Sequence, residues 1–513
     1  MNRRLAALVF GSFLTASFFA MPAWTQQTTP PTAQPVAGAL PATYDLRTVN
    51  AVTPIKKQSG GTCWTHGTMA SIESHLLLSG TWQKLGMTGI PKCSEYHLDW
   101  WNGFNKEFNE DTKDTARGMT VHQGGDYKVA AAYISRGDGV VILPEGVAQT
   151  GWYSKKPEKT DPAYKKLYVR DVEFFTMGNN LEGIELIKKQ VMKYGAMGTA
   201  NAHGRNNKDN IHYQPIDSAG DPNHSIAIIG WDDNKYYKEA PAAGDLGKTR
   251  APKPGAWLIK NSHGETAGEK GYHWISYYDK HSARHPEMGA VTFRNIEWLT
   301  YDHIYYHDAH GWRDTLSQVS KGFNAFKATG RETMKAVSFY TSVHNVNYTL
   351  EVFRKFENGQ LSDKVVSQTG SIPFTGYHTV DLQAPVKLKE NDMFYVCVTL
   401  SNGGHAIDRT SNIPVLLDDQ QPPPDQKGGV QPPPDQKKND QPPPKKGMQG
   451  GGKGGGKPIV ISTAKPGESF YHDGKEWKDL YDYKFTMPAW ANDAGVTFNG
   501  SANLCIKAMC TKD

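Results

Sequence analysis

Cys63 opens the stretch of this chain best suited to carry a nucleophile. Gln58-Ser59-Gly60-Gly61-Thr62-Cys63-Trp64 runs into Met69, Ala70, Ile72, Leu76, Leu77 and Leu78, and then into Ser79-Gly80. Gly60 and Gly61 interrupt regular structure, Thr62 is a favoured N-cap and Gly80 a stop signal. The pattern predicts one buried helix with Cys63 in its first turn. A thiol there faces the N–H groups and positive dipole end of the helix, which favour thiolate. The competing role is that of a small buried hydrophobe, the commoner fate of a lone cysteine. A thiolate nucleophile needs a histidine as acid/base and a third group to fix its tautomer. His224 begins a strand-like run ending at Trp231, and Asn261 ends a second such run that starts at Gly255. If the two pair antiparallel, the start of the first lies opposite the end of the second, and His224 and Asn261 become neighbours.

These residues sit in longer matching motifs. Leu40-Pro41-Ala42-Thr43-Tyr44-Asp45-Leu46-Arg47, Ala51 to Gln58, and Cys63-Trp64 together resemble the mature start of papain-like cysteine peptidases. Asn223-His224-Ser225 to Trp231 resembles the family's histidine strand, Lys260-Asn261-Ser262 its asparagine strand, and Ser94-Glu95 its second helix signal, with Cys93 in the leucine position. The resemblance spans about residues 40 to 280. It implies an α+β papain-like fold, a helical subdomain plus an antiparallel β-sheet subdomain. It also implies Cys63 as nucleophile, His224 as acid/base, Asn261 as orienter, and Gln58 in the oxyanion hole. Gly124 and Gly125 match the glycine pair whose backbone lies along the substrate, a protein or peptide. No cofactor is implied, and no histidine or cysteine pair shows metal-ligand spacing.

Two departures stand out. Gln58 lies five steps before Cys63, one fewer than in that family, so an ungapped alignment puts Lys57 in the oxyanion position. His263 replaces the tryptophan that usually follows Asn-Ser, and it either packs on His224 or turns to solvent. His203 and His212, in the polar stretch 202–222, read as solvated loop residues, and His66 as a packed core residue.

The remaining chain places this unit. Residues 1–23 carry Arg3 and Arg4 before an apolar run and small residues, a signal peptide rather than a membrane anchor. The expected location is therefore exported: secreted, periplasmic or cell-surface. Residues 24–39 form a Gln/Thr/Pro/Ala-rich lead-in, too short for a folded inhibitory prosegment, so the exported chain is expected to be active without further cutting. At 513 residues two domains are the prior, and a formal charge of +5 spread along the chain gives no case for nucleic acid. Besides Cys63, the residues Cys93, Cys397, Cys505 and Cys510 could form two disulfides in an oxidising compartment, with three pairings open.

The peptidase-like part is expected over 40–300, and from about 310 to 513 the texture is β. Ala336–Val343, Tyr348–Phe353, Tyr377–Leu382 and Met393–Leu400 read as strands, with Phe394, Val396, Val398 and Leu400 on one face and Cys397 on the other. A β-sandwich is predicted. Lys335–Tyr340 and Gly376–Leu382 resemble the lectin-like domain that follows the peptidase in some bacterial surface and secreted members, which implies a cell-surface glycan as partner. A sandwich that binds no sugar fits the same strands. Residues 418–457, with Gln-Pro-Pro-Pro at 421, 431 and 441 and a Gly/Lys run, cannot form a core and read as an insertion before a last strand at 503–508. Two further functions fit this organisation: a catalytically impaired scaffold acting as a glycan- or surface-binding adhesin, and a cysteine transpeptidase.

Overall fold

The computed structural model describes residues 39–113, 116–148, 150–203, 211–236, 251–417 and 457–513. The expected signal peptide, the lead-in apart from Ala39, and the insertion apart from Lys457 lie outside the described residues. Cys63–Leu78 is a helix, buried along nearly its whole length, with Ser79 as C-cap and Gly80 left-handed at φ 67°. Thr62 stands at the N-cap position, but its hydroxyl donates to the Ser59 carbonyl (3.0 Å) and makes no cap bond. Around this helix pack Glu95–Trp101, capped by Ser94, and Tyr127–Ser135, capped by Asp126. The helix Ile184–Tyr194 starts later than its periodicity from Leu181 predicts, because Leu181 itself is left-handed at φ 65°.

The other side of the central helix meets an antiparallel sheet. Its strands run Leu167–Phe175, Ala290–Trp298, Met197–Asn201, His224–Asp232, Ala256–Lys260 and Tyr272–Ser276, in that spatial order. The register Ala227↔Lys260 and Asp232↔Ala256 is the antiparallel pairing expected from the sequence, with His224 at the start of one strand and Asn261 just past the end of the other.

Beyond residue 300 the regular structure of the described residues is mostly strand, with one short α-helix at Ala489–Ala494. One sheet holds Gln360–Ile372, Val346–Glu357, Met393–Leu400, Lys321–Lys327, Ser469–His472 and Trp477–Asp479. It faces Gly376–Leu388, Glu332–Thr341, Ile506–Lys512 and His303–Tyr305 across a core that includes Val337, Phe339, Leu350, Phe394, Val396 and Val398. Cys397 turns to the opposite face and packs with Phe323 and Phe353, as the alternation predicts. The second of these sheets does not stop at the sandwich. Gly376–His378 pair with Asp171–Glu173, so its strands continue into the peptidase-like sheet. Gly376 is required at that junction: its φ is 146°, and a methyl group there would fall 2.0 Å from the Val172 carbonyl.

None of the five cysteines is in a disulfide, which corrects the expectation of two. Cys93 and Cys505 lie in the core around the central helix, Cys510 in the sandwich core and Cys397 on its outer face. Burial pushes the Cys93 and Cys505 thiols far above their ordinary range, Cys397 to about 12, and Cys510 upward as well.

Both flanks of the stretch 418–456 come together. Ser411 pairs with Val460 and Asn412 with Ile459, while Ile506–Lys512 inserts between Glu332–Thr341 and His303–Tyr305. Replacing residues 420–456 by a Gly/Ser linker of about eight residues should change stability by only about 1.3 kcal/mol, because the change is about two doublings of loop length at about 0.6 kcal/mol each. Ending the chain after Leu417 should instead strip a central strand and yield aggregated protein. Denaturant unfolding of the first variant and size-exclusion chromatography of the second check both, and a monodisperse truncated chain would show the terminal strands to be dispensable.

Candidate active site

Cys63 is the first residue of the central helix and has no exposed surface. His224 Nε2 donates to Asn261 Oδ1 at 2.8 Å, and Asn261 Oδ1 also accepts the Ser262 N–H at 2.7 Å. A second donor on that oxygen fixes the amide, and the fixed amide fixes the imidazole. With the proton held on Nε2, the lone pair lies on Nδ1, and proton exchange with a thiol falls to Nδ1. His224 and Asn261 are both buried, so this bond is not competed for by bulk water.

Gln58, not Lys57, faces inward: Gln58 is 1% exposed and Lys57 is exposed. The Gln58 N–H donates to the Ser262 carbonyl (2.7 Å) and its Oε1 accepts the Ser262 hydroxyl (2.6 Å). Its amide Nε2 donates to the Gly60 carbonyl (3.0 Å), so the shortened spacing leaves that donor turned to its own loop rather than held for an oxyanion. Gly124 lies beside the nucleophile loop, its N–H donating to the Gly61 carbonyl (2.8 Å). Gly125 lets the Trp64 ring approach, since a methyl group there would fall 2.5 Å from that ring.

Two further histidines come to the site. His263 stacks on His224 with ring centroids 4.6 Å apart and 18° between planes, and its Nδ1 lies 3.3 Å from Asn261 Nδ2. His203 lies edge-on to both at 4.9 Å, which corrects its reading as a solvated loop residue. Nothing in the polar stretch around His203 signals this; the pairing of Asn201 with His224 and the bond from the His203 N–H to Asn223 Oδ1 (2.6 Å) bring it there. His212 instead pairs with Asp279 at 3.4 Å. His66 accepts its core assignment: its Nδ1 bonds the Thr62 carbonyl, and burial pushes it down to about 3, so it stays neutral.

Two side-chain groups have metal-compatible spacing among the described residues. The nitrogens of His203, His224 and His263 lie within 4.8 Å of one another, but the nearly parallel stack of two rings prevents one ion from lying in both ring planes. Asp171, Glu173 and His378 form the other group, where Arg294 already pairs with both carboxylates, its Nε donating to Glu173 at 2.7 Å and its guanidinium 3.7 Å from Asp171.

Behind Asn261 lies a buried charge network without a sequence signal. Lys56 Nζ bridges Glu73 and Glu95 at 2.7 Å each, Thr53 donates to Glu73 (2.7 Å), and Lys260 Nζ donates to Thr53 (2.8 Å). A cavity of about 20 Å³, room for about one water, separates it from Ser225 and Ser262.

The helix-borne cysteine, the His–Asn pair on an antiparallel sheet and the glycine-lined cleft define a cysteine-peptidase type of site. Residues 40–290 match the papain family cysteine protease model and residues 304–420 the lectin-like domain model. The chain thus carries a papain-family cysteine protease domain joined to a lectin-like domain. Among curated proteins it is similar to cathepsin 7 of Rattus norvegicus, 25% identical over 45% of this chain and 60% of the relative. It is also similar to the senescence-specific cysteine protease SAG39 of Oryza sativa, 26% identical over 46% of this chain and 57% of the relative. The chain therefore spans under two thirds of the length of the relatives it matches. The solved clostridial cysteine protease Cwp84 after propeptide cleavage shares the fold over 92% of this chain and 99% of its own, with TM-score 0.61 and 22% identity. The protease and lectin-like domains of Cwp84, a surface layer associated protein of Clostridium difficile, match over 93% and 90% with TM-score 0.60 and 20% identity.

For Lys260, burial lowers the ammonium to about 8 from its ordinary 10.5. At pH 7 the buried charge opposes folding by about 3 kcal/mol. Between pH 8 and 10.5 the folded chain has shed this proton while the unfolded chain keeps it, so the parent gains stability as pH rises. Lys260→Met should stabilise the protein at pH 7 by about 1–3 kcal/mol, with a gain that shrinks across that window in denaturant titrations.

Proposed function

We propose that the protein is an exported cysteine endopeptidase that hydrolyses peptide bonds through a thioester at Cys63. The observation that carries this reading is the 2.8 Å His224–Asn261 hydrogen bond, set in a papain-family domain whose central helix begins at Cys63. In this reading His224 Nδ1 takes the thiol proton, and the thiolate attacks the substrate carbonyl carbon. The resulting oxyanion is met by the Cys63 N–H and, after rotation away from Gly60, by the Gln58 amide. The peptide C–N bond breaks as His224 returns the proton to the leaving amine. Water then attacks the thioester, giving its proton to His224, and the carboxylate product leaves with the thiol restored. Gly124 and Gly125 present backbone along which an extended peptide can lie.

The lectin-like domain supports a second partner, a cell-surface glycan. The amino-terminal signal pattern and the surface-layer association of Cwp84 support a place at the cell surface for this chain too. Among the described residues no helix is long and apolar enough to cross a membrane.

Hydrolysis of a peptide library by the full chain, with Cys63→Ala and His224→Ala as comparisons, tests the assignment. Cys63→Ala should abolish turnover, and His224→Ala should lower kcat/KM by about 10²–10⁴-fold, the usual scale of general acid–base assistance. An epoxide-type thiol reagent should label Cys63 ahead of the other four cysteines, whose buried thiols are held protonated. Label found mainly on Cys93 would reject the reading.

A further inference from the structure

A segment from far along the chain lies in the cleft beside Cys63. Ile413–Leu417 leaves the short strand Ser411–Asn412 and runs between the nucleophile loop and the glycine pair. The Leu416 N–H donates to the Gly125 carbonyl at 2.9 Å, and the Leu416 carbonyl oxygen accepts the Cys63 thiol at 3.4 Å. Leu416 is fully buried. The glycines of the cleft are fitted to this segment. A methyl group on Gly61 would fall 2.5 Å from Leu417 Cδ1, and one on Gly124 would fall 3.0 Å from Val415 Cβ and 3.1 Å from the Leu416 oxygen. The segment is anchored from behind by Ile413 N–H to Pro458 carbonyl (2.8 Å), the Asn412–Ile459 pairing, and Arg313 Nε on the Ser411 hydroxyl (3.0 Å).

We propose that Ile413–Leu417 is a resident inhibitor of the cleft, a stretch of the chain's own aliphatic backbone that an incoming peptide must displace. The inference rests on the reading of Cys63 as a peptidase nucleophile. Three features make the segment an occupant rather than a substrate. The sulfur meets the carbonyl oxygen as a hydrogen-bond donor, so the thiol keeps its proton. The Gln58 amide that should support a developing oxyanion is bonded to Gly60 instead. The Gly125 carbonyl, a backbone acceptor for an extended peptide, is already taken. A tethered segment also competes at an effective concentration on the order of millimolar, without any need for tight intrinsic binding.

The test compares the full-length parent with a variant carrying Pro414→Gly, Val415→Ser, Leu416→Gly and Leu417→Ser. Iodoacetamide alkylation of Cys63 and kcat/KM on library peptides should both rise at least tenfold in the variant. Adding the acetyl-Ile-Pro-Val-Leu-Leu amide peptide should raise KM again with kcat unchanged. Leu417→Gly alone, at a half-buried position, should shift both rates in the same direction by a smaller factor, which guards against misfolding of the quadruple variant. Equal alkylation rates in all three proteins would overturn the proposal. So would Cys63-dependent cutting of the parent within 413–418, found by intact mass, since the segment would then be a substrate. Faster alkylation with no peptide hydrolysis in any variant would uphold the occupied cleft and reject the peptidase reading.

Discussion

The arrangement depends on burying a helix on every side. Cys63–Leu78 is wrapped by other helices on one flank and by the antiparallel sheet on the other, yet its sequence is not uniformly apolar. Each polar side chain on it must therefore find a partner inside the protein, or cost about 1–3 kcal/mol. Ser71 donates to the Ala196 carbonyl, Ser74 to the Ala51 carbonyl, Thr68 to the Trp64 carbonyl, and Glu73 receives Thr53 and Lys56. The bonds of Ser71, Ser74 and Glu73 tie the helix to the strand before residue 201 and to the chain preceding Gln58, while that of Thr68 stays within the helix. These ties also fix the depth and rotation of its first residue, Cys63.

The same ties explain why the site is rigid where its chemistry needs rigidity. Lys56 and Glu73 connect the helix to the loop leading into Gln58, and Lys260, immediately before Asn261, connects the asparagine strand to Thr53 in that loop. The three parts of the site thus share one buried polar network. Such a network is costly if half satisfied, and the depressed ammonium of Lys260 shows where the cost falls.

Much of this was legible in the residues. The helix from Cys63 to Leu78, the antiparallel pairing that brings His224 to Asn261, and the two-faced strand around Cys397 follow from local periodicity and the Ser79-Gly80 stop, and the structure has them, although Thr62 does not cap the helix as expected. In place of the expected disulfides, Cys93 and Cys505 are buried as free thiols in the core around the central helix, and Cys397 and Cys510 in the sandwich. His203 comes to the site because Asn201 pairs with His224 and the His203 N–H meets Asn223, a register that the polarity of 202–222 does not encode. The direction of the Gln58 amide was not readable either, since it is decided by two oxygens, on Gly60 and Ser262, that only the folded loop brings near. The continuous sheet through Gly376 was hidden for a different reason: strand pairing between distant segments leaves no mark in either segment beyond a glycine.

That continuous sheet has a mechanical meaning for the cleft. The strand Gly376–Leu388 ties the sandwich to the peptidase-like sheet at Asp171–Glu173, and His378 Nδ1 bonds Asp171 at 2.9 Å across the junction. With the two β systems joined there, the short strand Ser411–Asn412 is held at a fixed reach from Cys63, and the five residues after it arrive in the cleft in one register. A sandwich linked only by a flexible connector would let this segment sample many positions, and the carbonyl of Leu416 would meet the thiol only occasionally. The backbone junction at residue 376 and the thiol contact at residue 416 are thus parts of one constraint.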